Sequence, residues 1–320
     1  MHRLVAHPLC LGGLLAGVGG GGTADAAGTT AQAVVRVPSQ TTPHLHSPFR
    51  HSGCCDSCAS IFNCSNSRME EMHFVDLVLP SLRPGQPSPT FLELGGADGL
   101  LLSNTLYLEH CLHWKGMLVE ASPVAFKQLK HNRPSATVVH SAICRQNGTV
   151  HFVNVGNGAD HILPQPQRHS TAVACAPLRH YLSQLGVRHL TFFSLDVEGA
   201  ELEVLQSVDW TELSVAFIVV EERQHVPKSE QRKNRDASDF LTRVVGMTRV
   251  LTACWKHGRI CDGYFVHPRW VDVDDVLRRR QTYEAEPATL SDQNRGVWHG
   301  AASHRNLHCG TPLPRDGGMR

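Results

Sequence analysis

Between residues 90 and 222 the chain repeats one device: a short apolar run ends near a polar residue and gives way to a segment with helical spacing. "TFLEL" (90–94), "GMLVEA" (116–121), "ATVVHSAI" (136–143), "LTFFSLDV" (190–197) and "VAFIVVEE" (215–222) have this build. Runs so short and so evenly apolar read as strands of a parallel sheet covered on both faces. Helical segments fall between them, at 100–113, at 123–132 with Ser122 as N-cap and Pro123 in the first helical position, at 176–185 and at 200–210. The pattern predicts an α/β fold, a doubly wound Rossmann-like sheet with right-handed crossovers. "GTVHFVNV" (148–155), entered through Asn147-Gly148, adds a strand paired through a turn. Residues 237–246 read as a further helix, and "TRVLTACW" (248–255) with "CDGYFVHP" (261–268) as an antiparallel closing hairpin.

The first strand leads into "FLELGGADGLLLSNTLYLE" (91–109), with glycines at 95, 96 and 99. In such a sheet ligands bind outside the carboxyl ends of the strands, and a glycine turn lets backbone approach a ligand. The dinucleotide fingerprint fails, because from Gly95 it requires glycine where Ala97 and Leu100 stand. The order is instead E-x-G-x-A-x-G, with Glu93 at the end of the strand. An acid there repels a pyrophosphate and suits a cationic ligand such as an adenosyl sulfonium, which points to S-adenosylmethionine. Glu120 ends the next strand, 21 residues after Gly99, where a carboxylate accepts hydrogen bonds from a ribose diol.

Together with "LVEASPVAFKQLKHN", "VVHSAIC" and above all "FFSLDVEGAELEVLQSVDW", these segments resemble the FkbM-type S-adenosylmethionine-dependent methyltransferases over residues 90–225, with the closing hairpin to about 268. The resemblance covers neither end of the chain. It implies the class I methyltransferase fold and methylation of a hydroxyl oxygen on a sugar, glycan or small metabolite. It also implies a cofactor loop of Glu93, Gly95, Ala97 and Gly99, Glu120 on the ribose, Ser141 and Ala142 beside the adenine, and Asp196 at the mouth of the fourth strand. Ala97 stands where the family usually has glycine, and alanine reaches positive φ only at a cost.

Each residue has an ordinary structural reading as well. Strand-end acids are often solvated, Asp196 and Glu198 can cap the helix beginning near Ala200, and glycines turn chains. Two strand-end acids at cofactor spacing plus "LDVEGAE" outweigh those readings jointly. Transfer to a hydroxyl demands in-line orientation and a proton acceptor. By position the candidates are Asp196, Glu198, Glu221 and His225, with Asp196 first for orienting the cofactor's methionine or the acceptor. His225 lies in "EERQHVPKSEQRKNRD" (221–236), which has the composition of a solvated loop where acceptor specificity would reside. The alternative function is a non-catalytic binding module of methyltransferase fold in the secretory pathway.

Charge narrows the partners: 30 basic against 29 acidic residues leave no footprint for nucleic acid or an anionic membrane. The 21 histidines are scattered without H-E-x-x-H, so no metal site is expected. Residues 1–50 hold one acid, Asp25, and read as a leader; "PLCLGGLLAGV" (8–18) behind His2 and Arg3, followed by the small residues of 21–28, has the order of a signal peptide. That stretch is too short and glycine-rich for a membrane span. Entry into the secretory pathway is the reading taken, with an organelle transit peptide or a cytoplasmic chain as alternatives. Residues 51–88 read as a Cys-rich linker in which Cys54, Cys55, Cys58 and Cys64 form disulfides or, in a reducing compartment, hold zinc. Sequons at Asn63 and Asn147 are compatible with the secretory reading. Residues 89–270 form the methyltransferase-like domain, and 271–320 a charged tail, a short helix followed by disorder.

Overall fold

The computed structural model describes residues 5–6, 33–37, 65–153, 161–163, 165–223, 227–255 and 260–285. In chain order the strands are β1 (Val5–Ala6), β2 (Val34–Arg36), β3 (Thr90–Leu94), β4 (Lys115–Glu120), β5 (Thr137–His140), β6 (Ala142–Ile143), β7 (Gly148–Val153), β8 (His161–Leu163), β9 (Thr171–Ala176), β10 (His189–Leu195), β11 (Ser214–Arg223), β12 (Thr248–Trp255) and β13 (Ile260–Val266). The helices are α1 (Glu70–His73), α2 (Leu106–His110), α3 (Pro123–Asn132), α4 (Leu178–Gln184), α5 (Glu201–Gln206), α6 (Lys228–Phe240) and α7 (Val273–Ala285).

Each of the five apolar runs contributes a strand to the main sheet, whose order is β12-β13-β11-β10-β3-β4-β5-β2. The central strands β5, β4, β3, β10 and β11 are parallel, and the β12–β13 hairpin closes one edge antiparallel to β11. Every residue of β10 is buried, as a strand covered on both faces requires. One face packs Phe74, Trp114, Phe192, Phe217 and Tyr264; the other packs Leu92, Phe193, Leu205, Ile218 and Phe265. From β3 the order runs one way to β4 and β5 and the other way to β10 and β11, so the switch point lies between β3 and β10. In open sheets of this kind the ligand crevice lies at such a point, outside the carboxyl ends of the strands. Ser122 caps α3 as expected, its Oγ accepting from Ala125 N at 3.3 Å.

Several expectations are corrected. The segment before β3 is part of the core, not a linker: α1 runs on through a wide turn at Phe74–Val78, with Met69, Met72, Phe74, Val75, Leu77 and Val78 buried. The ring of Phe74 lies 5.0 Å from both Phe192 and Phe217. The four clustered cysteines and Asn63 lie outside the described residues. At the other end, α7 buries Val276 and Tyr283, and Ser81 Oγ donates to Asp275 Oδ2 at 2.6 Å, which ties this helix to the α1 segment. The expected loop at 221–236 is largely α6, because Lys, Arg, Gln and Glu are good helix formers and the buried Ala237 gives the helix a packing side. The helix expected at 100–113 shrinks to α2, since Leu102 at φ 59° interrupts its first turn. From the leader, β2 pairs antiparallel with β5, and β1 pairs with β8.

The additional strand β7 belongs to a second sheet, of order β1-β8-β7-β9-β6. Its small core holds Val150, Phe152, Val173 and the disulfide Cys144–Cys175. β9, "TAVACA", escaped the sequence reading because three of its six residues are alanines, which carry little strand signal. A second disulfide, Cys254–Cys261, clips the closing hairpin. No helix among the described residues is long and apolar enough to cross a membrane.

Glu71 joins the α1 segment to α2. Its carboxylate, fully buried, accepts from Ser65 Oγ at 2.6 Å and from Leu108 N at 3.0 Å. Burial pushes this carboxyl from 4.5 up to about 7, against the pull of those hydrogen bonds. A raised carboxyl keeps in the folded state a proton that the unfolded chain releases, so its stabilising share is complete below about 4.5 and is lost as pH rises through about 7. Burial pushes Asp76 to about 7 as well. The thermal midpoint should therefore drop between about pH 5 and about pH 8, and Glu71→Gln should flatten that decline. An equally steep decline in the variant excludes Glu71 as a source.

Candidate active site

The turn after β3 is held from β4. Gly95 N and Gly96 N donate to Val119 O at 3.1 and 3.2 Å, and Ala97 N donates to Glu120 Oε2 at 2.8 Å. The other oxygen of Glu120 accepts from Ser122 N at 2.6 Å, so this buried carboxylate couples the turns that follow β3 and β4. Gly95, Ala97 and Gly99 all have positive φ, at 80°, 46° and 78°. Alanine is thus held in the left-handed region, with its N–H tied to Glu120. A Cβ at Gly95 would run into the carbonyl of Asp196, and one at Gly99 into Leu129 and Arg133. Internal packing, and not only approach to a ligand, explains these two glycines.

Glu93 looks inward to the loop that follows. Its Oε2 accepts from Ser103 Oγ at 2.9 Å and Thr105 Oγ1 at 2.5 Å, and its Oε1 accepts from Asn104 N at 2.9 Å. The same loop is gripped by Arg133, which the sequence reading missed and which is completely buried. Its Nε donates to Glu109 Oε2 at 2.5 Å, its Nη1 to Gly99 O and Ser103 Oγ, and its Nη2 to Thr105 O and Thr105 Oγ1. These five bonds use all five guanidinium donors. Ser141, expected beside an adenine, turns its hydroxyl inward: it donates to Ala142 O and Ala174 O and accepts from Tyr181 OH at 2.6 Å. Only its backbone and Ala142 remain for that role.

At the ends of β10 and β11 the acids converge. One carboxylate oxygen from each of Asp196, Glu198 and Glu221 lies within 4.8 Å of the others, and all three residues are buried. In "LDVEGAE" Glu198 and Gly199 take φ 63° and 103°, a bend stabilised by Glu201, whose Oε1 accepts from Val197 N at 3.3 Å and Gly199 N at 2.9 Å. Arg223 pairs with Glu198 and lies 3.7 Å from Glu221 Oε2. Burial first, then the charges of Asp196, Glu198, Glu201 and Asp262, raise the Glu221 carboxyl well above the ordinary range. α6 covers the bend, with Asn234 Nδ2 donating to Arg223 O at 2.8 Å. Glu201 and Arg223 were legible only as members of quoted motifs, and His225 lies outside the described residues.

With this geometry in place, the comparison with protein families is decisive: residues 93–246 match the model of the methyltransferase FkbM domain. This stretch is an FkbM methyltransferase domain. The match opens at Glu93 and closes at Gly246, so it contains the glycine turn, Glu120 and the acidic bend. No curated protein matches the chain. Among solved structures the chain is similar to an O-methyltransferase from Bacillus cereus in complex with SAH, at 10% identity and TM-score 0.39 over 62% of this chain and 80% of that one. It is similar also to Aeropyrum pernix fibrillarin with natively bound S-adenosyl-L-methionine, at 12% identity and TM-score 0.35 over 57% and 69%. A third is the precorrin-6y C5,15-methyltransferase from Geobacter metallireducens, at 12% identity and TM-score 0.36 over 62% and 86%. Likenesses this loose identify no acceptor.

The FkbM domain takes S-adenosylmethionine as cofactor. The residues present fit such a group. Asp196 and Glu120 place buried carboxylates at the carboxyl ends of β10 and β4, a setting that favours a sulfonium cation over a phosphate.

Proposed function

We propose that the FkbM domain methylates a hydroxyl oxygen of a sugar, glycan or small metabolite. The observation that carries this reading is the position of Asp196, packed through its carbonyl against Gly95 of the turn and through its carboxylate beside Glu198 and Glu221. One residue thereby joins the cofactor side to the acceptor side. Glu120 would hold the ribose diol, the backbone of Gly95, Ala97 and Gly99 would line the methionine, and Ala142 with the backbone of Ser141 would border the adenine. Glu93 and Arg133 act through the loop they fasten. When bound, S-adenosylmethionine supplies an electrophilic methyl carbon. The chain's own part is to orient the acceptor hydroxyl in line, where most of the rate is gained, and to receive its proton in the Asp196–Glu198–Glu221 cluster. Arg223 positions Glu198 and Glu221, and His225 stays a candidate for the acceptor side. The two disulfides support an oxidising compartment, and with the leader they favour the secretory pathway.

Calorimetric titration with S-adenosylmethionine, followed by methyl release to hydroxylated acceptors, tests the reading. Binding without transfer to any of them would leave a binding module instead. Glu120→Ala should weaken cofactor binding by about 1.5–3 kcal/mol, the range for hydrogen bonds to a charged group, because both the diol and Ala97 N lose their acceptor. Undiminished affinity in a folded variant removes the ribose assignment.

A further inference from the structure

Asn147, the last residue of the turn between β6 and β7, begins an Asn-x-Thr sequon that Gly148 and Thr149, the first residues of β7, complete. All three residues are exposed, and a side chain added at Gly148 would meet nothing. Thr149 pairs with Ala174 in the β7–β9 ladder, so the turn is held at its base while its tip faces outward. Three residues upstream, Cys144 is bonded to Cys175, and Cys254 to Cys261 in the main sheet. Disulfides persist in the same oxidising compartments where asparagine is glycosylated.

The surroundings give a glycan room. Asn147 lines an open cleft of about 690 Å³ together with Pro177, Arg179, Arg188, Asp209 and Glu212. Arg188 and Leu213, also on this cleft, immediately precede β10 and β11. The cleft therefore reaches the amino ends of strands whose carboxyl ends carry Asp196 and Glu221. A sugar chain anchored there starts from the opposite end of the sheet to the acidic cluster. Removal of the leader would take β1 from one edge of the second sheet and β2 from one edge of the main sheet, leaving the β7–β9 pairing intact.

We propose that Asn147 carries an N-linked glycan. The inference rests on the secretory reading and not on methyl transfer. The donor class is a lipid-diphosphate-linked oligosaccharide. The bond from Asn147 Nδ2 to the anomeric carbon forms, the bond from that carbon to the diphosphate oxygen breaks, the amide gives up one proton, and the lipid diphosphate leaves.

The test is translation of the full chain, with its own leader, in the presence of endoplasmic-reticulum vesicles, followed by protease protection and peptide mapping. Protected chain should carry one oligosaccharide on the Asn147 peptide, released by peptide N-glycosidase with conversion of the side chain to aspartate. Asn147→Gln and Thr149→Ala should each abolish that modification, and Asn63→Gln should leave it in place. Protected chain with an unmodified Asn147 peptide overturns the inference and spares the compartment. Chain left outside the vesicles overturns both. In protein purified from a secretory host, Asn147→Gln should bind S-adenosylmethionine as the wild type does; a tenfold loss would refute the placement of the glycan away from the site.

Discussion

Arg133→Met should destabilise the folded domain by about 3–5 kcal/mol, the cost of breaking a buried ion pair from one side. Few positions in this chain combine so many demands. The guanidinium is completely buried, all five donors are used, and three of its four recipients, Gly99, Ser103 and Thr105, belong to the loop between β3 and α2. Its stem fills the space that a Cβ at Gly99 would need. Methionine can replace the stem but not the donors, which leaves the Glu109 carboxylate buried without its counter-charge. Glu109→Gln in the same chain removes that orphaned charge, so the double variant should recover part of the loss. Arg133→Lys should fall between, since an ammonium offers three donors without the planar fork. Denaturant unfolding measures all three, and a cost under about 1 kcal/mol for Arg133→Met would show that the pair is not the clamp described. The folded fraction should also bind S-adenosylmethionine less tightly, because the loop that follows the glycine turn has lost its fastening.

Arg133 also marks where sequence reading stops. The strands were legible because a buried parallel strand must be apolar along its length, and five such runs with helical spacing between them leave little choice of fold. The turn after β3 was legible because positive φ at 95 and 99 calls for glycine. An arginine at the end of α3 carries no such mark. Its partners lie 24 to 34 residues back along the chain, and a basic residue after a helix usually faces water. Glu93 was noticed for its place and misread in its direction, since "SNT" at 103–105 does not announce that two hydroxyls and an N–H turn back to meet it. The segment 69–82 was hidden behind cysteine-rich sequence, though its apolar residues turn out to cover one face of the sheet. The acids of β10 and β11 were visible one at a time. Their convergence depends on the parallel register that sets Leu195 beside Val220, which no local pattern states.

Asp196→Asn should lower methyl transfer by about 10²-fold or more, the scale of loss when reacting groups are no longer held in line. The substitution keeps the shape of a residue whose backbone N donates to Leu94 O at 3.3 Å and whose carbonyl packs on Gly95, so the turn has no reason to move. What changes is charge. The Asp196 carboxylate is one of the neighbours that raise Glu221, and removing it relieves like-charge repulsion inside a buried cluster. The Glu221 carboxyl should then fall toward the ordinary carboxylate range. The variant should unfold at the same temperature as the wild type or slightly above it near neutral pH, and the acidic limb of its residual pH–rate profile should move to lower pH. A residue needed only for folding predicts the reverse, a lower midpoint with turnover reduced in proportion to the folded fraction. Undiminished turnover in a folded Asp196→Asn chain would transfer the orienting role to Glu198 or Glu221. Glu221→Gln then separates those two, since it removes the Glu221 carboxyl yet leaves the pairing of Glu198 with Arg223 in place.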